Sequence, residues 1–209
     1  MLENSKRNKN IYIPLIALAV AAFGIILWIY DFDILFFIRN YIRNDVLNVI
    51  VPFYTHLGED GIIWITLGVI MLIPKKTRKC GIMVLAALLV MLVVNNIILK
   101  NIVARPRPCF FYPDMVDGLV KVPSSYSFPS GHTVSAFAVA FTVYSQHKKF
   151  GIVTIIMAAL MAFTRLYVFV HFPTDIYGGI IVAAGIAYFV YRMEKIITPK
   201  VVELINKRK

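Results

Sequence analysis

Six apolar runs dominate the chain, at roughly 11–30, 61–73, 81–99, 133–144, 152–170 and 176–191. Most approach the ~20 residues that an α-helix needs to cross the hydrocarbon core of a bilayer. Of the 209 residues, 59% are hydrophobic and 16% charged, and the mean hydropathy is +0.75, a balance that belongs in a membrane rather than in water. The expected fold is therefore an all-α integral membrane six-helix bundle, with residues 1–209 forming a single domain. The second and fourth runs are short, and each gains length from flanking small or polar residues such as Gly58, Ser130 and Ser145. Lys6, Arg7 and Lys9 precede the first run as they would in a secretory signal, but the run exceeds a signal's apolar stretch and ends in Trp28 and Tyr30, which suit a membrane interface. An anchor is expected there. No repeat, low-complexity tract or soluble domain interrupts the pattern. Cys80 and Cys109 flank one run and fall on opposite sides of the bilayer, so they are read as small packing residues and not as a disulfide.

A net charge of +11 could mean a nucleic-acid surface, but the positions of the charges argue otherwise. Lys6, Arg7 and Lys9 lie in the amino-terminal tail, Lys75, Lys76, Arg78 and Lys79 follow the second run, and Lys148 and Lys149 follow the fourth. Arg192, Lys195, Lys200, Lys207, Arg208 and Lys209 follow the sixth. These 15 of the 22 basic residues share one side of a six-span chain, and the positive-inside rule makes that side cytoplasmic. The expectation is a multi-pass cell-membrane protein with both termini cytoplasmic and the bilayer, not nucleic acid, as its partner. The other seven, Arg39, Arg43, Lys100, Arg105, Arg107, Lys121 and Arg165, face outward with eight of the 11 acidic residues. Lys100, Arg105, Arg107 and Arg165 sit at helix ends, an unfavourable place for a cation without a partner, so an anion is expected to bind on that face.

Outer segments carry the candidate chemistry. The stretch 30–60 mixes apolar residues with Asp31, Asp33 and Asp45, and reads as an interfacial amphipathic helix. The stretch 100–129 holds five prolines and reads as a loop with short structured pieces. It opens with Lys100, Arg105 and Arg107, a point charge and planar forks suited to phosphoryl oxygens, although headgroup anchoring produces the same cluster. Pro129, Ser130, Gly131 and His132 then precede an apolar helix, where first-turn amides favour an anion and His132 can supply a proton. An N-cap followed by an ordinary interfacial histidine would look the same. Finally, His171 and Asp175 stand four apart, a spacing that brings side chains together on a helix, while Pro173 between them warns against regular helix. Arg165, near the end of an apolar span, is a functional candidate on its own. Together these segments offer a nucleophile with an orienting carboxylate, a second histidine as acid, and cations for a transferring phosphoryl group. No metal-ligand spacing accompanies them, so neither metal nor other cofactor is called for.

The chain resembles the type 2 phosphatidic acid phosphatase superfamily, whose members share a fold core with vanadium haloperoxidases. The resemblance rests on lysine, six residues and Arg-Pro at Lys100, Arg107 and Pro108; on Pro-Ser-Gly-His at Pro129, Ser130, Gly131 and His132; and on Arg, five residues, His, three residues and Asp at Arg165, His171 and Asp175. Thr164 stands where that family usually has serine. The resemblance implies that His171 is a nucleophile forming a phosphohistidine, Asp175 its partner and His132 the acid to the leaving group. It also implies that Lys100, Arg107, Arg165, Ser130 and the Gly131 amide bind phosphate. Arg105 lies outside the motif and is assigned to the headgroup layer.

The expected substrate is a lipid phosphate or diphosphate with its tail in the bilayer: undecaprenyl diphosphate, phosphatidylglycerol phosphate or phosphatidic acid. The carrier diphosphate is the first choice because the site faces outward. The aromatic residues Phe110, Phe111, Tyr112, Tyr126 and Phe128 are candidates for a lipid entry wall or for simple interface anchors. A lipid phosphotransferase of the same family and a vanadate-bearing haloperoxidase are alternatives within the resemblance. From another class, an anion transporter would need polar residues at mid-membrane, whereas Asn95 and Asn96 lie toward the outer end of the third run.

Overall fold

The computed structural model describes residues 2–206, with side chains over 14–194 and at 196. The basic residues Lys207, Arg208 and Lys209 lie outside the described residues, as do the side chains of Lys6, Arg7, Lys9, Lys195 and Lys200. Ten helices follow one another: α1 (Leu2–Ile29), α2 (Asp31–Phe37), α3 (Asp45–Leu57), α4 (Ile62–Leu72), α5 (Arg78–Met91), α6 (Lys100–Val103), α7 (Pro108–Phe111), α8 (Gly131–Gln146), α9 (Lys148–Tyr167) and α10 (Pro173–Asn206). Each of the six apolar runs is helical, so the all-α reading stands.

The count of spans differs from six by the measure of length. Arg78–Phe111, Lys148–Tyr167 and Pro173–Glu194 are long and apolar enough to cross a membrane by themselves. Two more candidates are bent pairs, Pro14–Ile29 with Asp31–Ile42 at 60° and Asp45–Leu57 with Glu59–Leu72 at 50°. The fourth run, α8, has only 16 residues. It can be short because protein surrounds it: it packs against α5, α9 and α10, and Val134, Ala136, Ala138, Val139, Ala140 and Val143 are all buried. A helix apolar on every face belongs in the middle of a bundle, and small residues let its neighbours approach. Glycines serve the same purpose elsewhere. A Cβ on Gly81 would come within 2.7 Å of the Gly68 carbonyl oxygen, where α4 crosses α5.

The stretch 30–60, read from sequence as one interfacial amphipathic helix, holds two helices, α2 and α3, each of which forms part of a bent candidate span. A π turn (Ile38–Ile42) ends α2, and the Asn44 side chain then caps α3 by accepting from the Leu47 amide at 3.0 Å. The corner is fastened to the far end of α9. Arg43 donates to the Tyr167 carbonyl at 2.8 Å, and the Tyr167 hydroxyl donates to Asn48 at 2.8 Å. Asp117, from the long outer loop, pairs with Arg39 at 3.2 Å and Arg43 at 2.7 Å. These contacts bring the loop segment Val120–Ser125 over one end of the bundle, where it lines a cavity.

Candidate active site

The cavity measures about 1130 Å³. Its polar end is lined by Asn96, Lys100, Arg107, Gly131, His132, Arg165 and His171, and its apolar wall by Ile65, Leu85, Leu88, Leu89 and Leu92 from α4, α5 and the π turn (Leu92–Leu99) that follows α5. Residues as far apart in sequence as Ile65 and His171 thus meet at one place.

Local structure explains how each arrives. Helix α9 ends in a Schellman motif: the amides of Phe169 and Val170 donate to the carbonyls of Leu166 and Arg165. Phe169 takes the left-handed position at φ 61° that glycine normally fills, and its buried ring packs with Leu35 and Phe172. Holding a phenylalanine there costs about 1 kcal/mol or more. The reversal presents His171 just before α10 begins at Pro173, an N-terminal position that suits proline. His171 and Asp175 are therefore not neighbours on one helix, contrary to the spacing argument. They meet across a helix start: Asp175 in the first turn reaches back to accept from the Phe172 amide at 2.8 Å, half of a capping box. The same carboxylate oxygen lies 3.3 Å from His171 Nδ1 and accepts from the Ser127 hydroxyl.

Asp175 can only accept, so the imidazole proton belongs on Nδ1 and the lone pair on Nε2. Arg107 Nη1 donates to that lone pair at 2.9 Å, and also to the Val170 carbonyl at 2.9 Å. Arg107 is clamped by the carbonyls of Ser125 and Tyr126 and by the Ser125 hydroxyl, which Lys100 Nζ also meets at 3.1 Å. Burial, together with the guanidinium groups of Arg107 and Arg165 and the Lys100 ammonium, holds the His171 imidazole well below the usual histidine range, so it is neutral at pH 7.

Arg165 is buried in α9, with Nη1 on the Thr55 hydroxyl at 2.6 Å and Nε without a hydrogen-bond partner among the described residues. Thr164 Oγ1 reaches the same Thr55 hydroxyl at 2.9 Å, so threonine keeps the hydrogen bond expected of a hydroxyl there. His132 opens α8, and its Nε2 lies 3.3 Å from the Thr55 carbonyl, which can only accept. Nδ1 is left as the nitrogen free to exchange a proton. Ser130 is buried and caps α8 by accepting from the Thr133 amide at 3.5 Å; Gly131 and His132 beside it line the cavity.

The seven cations expected on the outer face now sort by partner. Arg39 and Arg43 are neutralised by Asp117, and Arg105 by Asp31 and Asp175. Among the described residues, Lys100, Lys121, Arg107 and Arg165 line the cavity without a carboxylate within 4.0 Å. Arg105, assigned from sequence to the headgroup layer, is held within the protein: its guanidinium donates to Asp175 at 2.8 Å, Thr174 at 2.6 Å and Asp31 at 2.6 Å, and stacks over Phe172 at 4.0 Å. The aromatic residues Phe110, Phe111, Tyr112, Tyr126 and Phe128 are not part of the cavity lining, whose apolar wall is aliphatic. Thr55, Ser127 and Asp31 were given no part in the chemistry by sequence reasoning. Nothing marks a threonine 109 positions from Thr164 as its partner, whereas Asp31 at the end of an apolar run was a visible signal.

Comparison with known proteins identifies the family. The chain is similar to the undecaprenyl-diphosphatase of Sulfolobus acidocaldarius, with 31% identity over 161 residues covering 77% of each chain. It is similar to undecaprenyl-diphosphatase BcrC of Bacillus subtilis, with 28% identity over 75% of this chain and 80% of that one. Its fold matches the crystal structure of a transmembrane PAP2 type phosphatidylglycerolphosphate phosphatase from Bacillus subtilis, with a TM-score of 0.64 and 27% identity over 85% of this chain and 95% of that one. A model of the PAP2 superfamily matches residues 80–198, a segment that starts in the first turn of α5 and contains every cavity cation and both cavity histidines, so the chain belongs to the PAP2 superfamily.

Proposed function

We propose that the protein hydrolyses a lipid phosphate or diphosphate without a metal ion, through a phosphohistidine at His171, with its site on the outer face of the membrane. One observation carries the reading. A single cavity joins four unpaired cations and two histidines to an aliphatic wall, which fits a substrate with an anionic head and a hydrocarbon tail. The names of the relatives point to undecaprenyl diphosphate and phosphatidylglycerol phosphate as candidate substrates.

In this reading the phosphoryl oxygens draw Arg107 off His171 Nε2, and Lys100, Arg107, Arg165 and the Gly131 amide stabilise their charge. The Nε2 lone pair forms a bond to phosphorus as the bond from phosphorus to the leaving oxygen breaks. His132, which takes up a proton on Nδ1 as the anionic head binds beside it, gives that proton to the leaving oxygen, and Asp175 holds the Nδ1 proton of His171 and supports the positive ring. Water then attacks the phosphohistidine while His132 takes a proton from it, the N–P bond breaks, and phosphate leaves. An acceptor other than water at the second step would make the protein a phosphotransferase.

The test is phosphate release by purified protein in detergent with chelator present, from undecaprenyl diphosphate, phosphatidylglycerol phosphate and phosphatidic acid in parallel. Release that survives chelation and disappears in His171→Ala is expected. Equal release from the variant would overturn the mechanism, and transport of phosphate by the variant across proteoliposomes would favour the anion-transporter reading.

A further inference from the structure

The cavity does not account for a second cluster of charge behind His171. Asp31 is buried at the start of α2, ahead of the segment that matches the PAP2 superfamily, and its Oδ1 accepts from the Thr174 amide at 3.0 Å. Its Oδ2 accepts from the Thr174 hydroxyl and from Arg105 Nη2, both at 2.6 Å. Arg105 Nη1 continues the chain to Asp175 Oδ1 at 2.8 Å, and the other oxygen of Asp175 faces His171. Charges therefore alternate in a line, Asp31 negative, Arg105 positive, Asp175 negative, ending at the imidazole. None of these side chains except His171 lines the cavity.

We propose that Asp31 and Arg105 are a positioning pair that sets, through Asp175, the basicity and orientation of His171. The inference rests on His171 being the nucleophile. An arginine bonded to Asp175 alone would draw the carboxylate's charge away from the imidazole, because the guanidinium competes for it in a medium of low dielectric. Asp31 divides that guanidinium between two carboxylates, and so returns to Asp175 the capacity to support a positive ring. Thr174 ties the amino terminus of α10 to the same carboxylate, which fixes the turn holding both His171 and Asp175. The remaining groups facing His171 are Arg107, Lys100, Arg165 and His132 from the cavity side and Ser127 from the loop, and the pair leaves all of them in place.

The pair makes predictions of opposite sign. Asp31→Asn, nearly isosteric, removes a negative charge and should lower the pKa of His171. Arg105→Gln removes a positive charge and should raise it. The double variant should return it toward the wild-type value, each single shift being about one pH unit. The measurement is the titration of His171 by 15N NMR of histidine-labelled protein in micelles, with His171→Ala to identify its signal, which needs no turnover. Alongside it, the acid limb of kcat/KM on the best of the three lipid substrates should move with the NMR value. A loss of turnover in both single variants with no opposed shift would mean that the two residues act only on folding, and the proposal would fail. Opposed shifts in NMR together with full activity in His171→Ala would instead remove the nucleophile reading while leaving the pair.

Discussion

At the scale of single residues, Thr55 is the clearest case of a small side chain supporting a large one. Its hydroxyl accepts from Arg165 and Thr164, and its carbonyl faces His132, so one residue of α3 aligns the cation proposed to bind phosphate and the candidate acid. Thr55→Val keeps the shape and removes the hydroxyl. A hydrogen bond to a charged group is worth about 1.5–3 kcal/mol, so kcat/KM should fall about 10- to 100-fold with little change in melting temperature, and Thr55→Ser should restore most of it. Steady-state kinetics on the three variants decides this. Lys100, Arg107, His132, Arg165, His171 and Asp175 were legible in sequence because arginine, histidine and lysine at membrane helix ends demand an explanation. Thr55 was not, since a buried threonine in an apolar stretch satisfies itself in many ways and carries no charge.

At the scale of elements, the site depends on how α8 and α9 pack, because one carries His132 and the other Arg165. Their crossing is tightest at the turn between them. A Cβ on Gly151 would lie 2.2 Å from the Cα of Tyr144, and backbone cannot move aside as a side chain can. Gly151→Ala should therefore destabilise the protein by about 3 kcal/mol or more, beyond the usual range for overpacking, and lower the melting temperature in detergent. An unchanged melting curve would show that the turn opens without cost. The apolar runs marked α4, α8 and α9 to within about four residues, whereas α1 and α10 extend well beyond theirs, and the junctions came out differently. The stretch 30–60 breaks at a π turn, and the His171–Asp175 pair forms across a capping turn. Periodicity reports which faces are buried and carries little information about where a helix bends when both sides of the bend are apolar.

At the scale of the whole molecule, the positive-inside rule predicts an orientation, with the basic loops inside and the cavity outside, that can be measured. Cys80 and Cys109 are both buried, so background labelling by an impermeant thiol reagent should be low. In intact cells, Ser125→Cys, on the cavity loop, should be labelled and Lys76→Cys, between α4 and α5, should be spared. The reverse pattern would turn the site inward and remove the reason for preferring a carrier lipid released outside. The sequence by itself determined that this chain lives in a bilayer as helices and that most of its basic residues gather at the ends of alternate apolar runs, because hydrophobic length and charge asymmetry are properties of local composition. Only the tertiary structure decided which cations remain free for a substrate. Arg39, Arg43 and Arg105 look no different in sequence from Arg107 and Arg165, yet Asp117, Asp31 and Asp175 neutralise the first three and leave the others facing the cavity. Pairing depends on distances between segments far apart in the chain, and those exist only once the helices have packed.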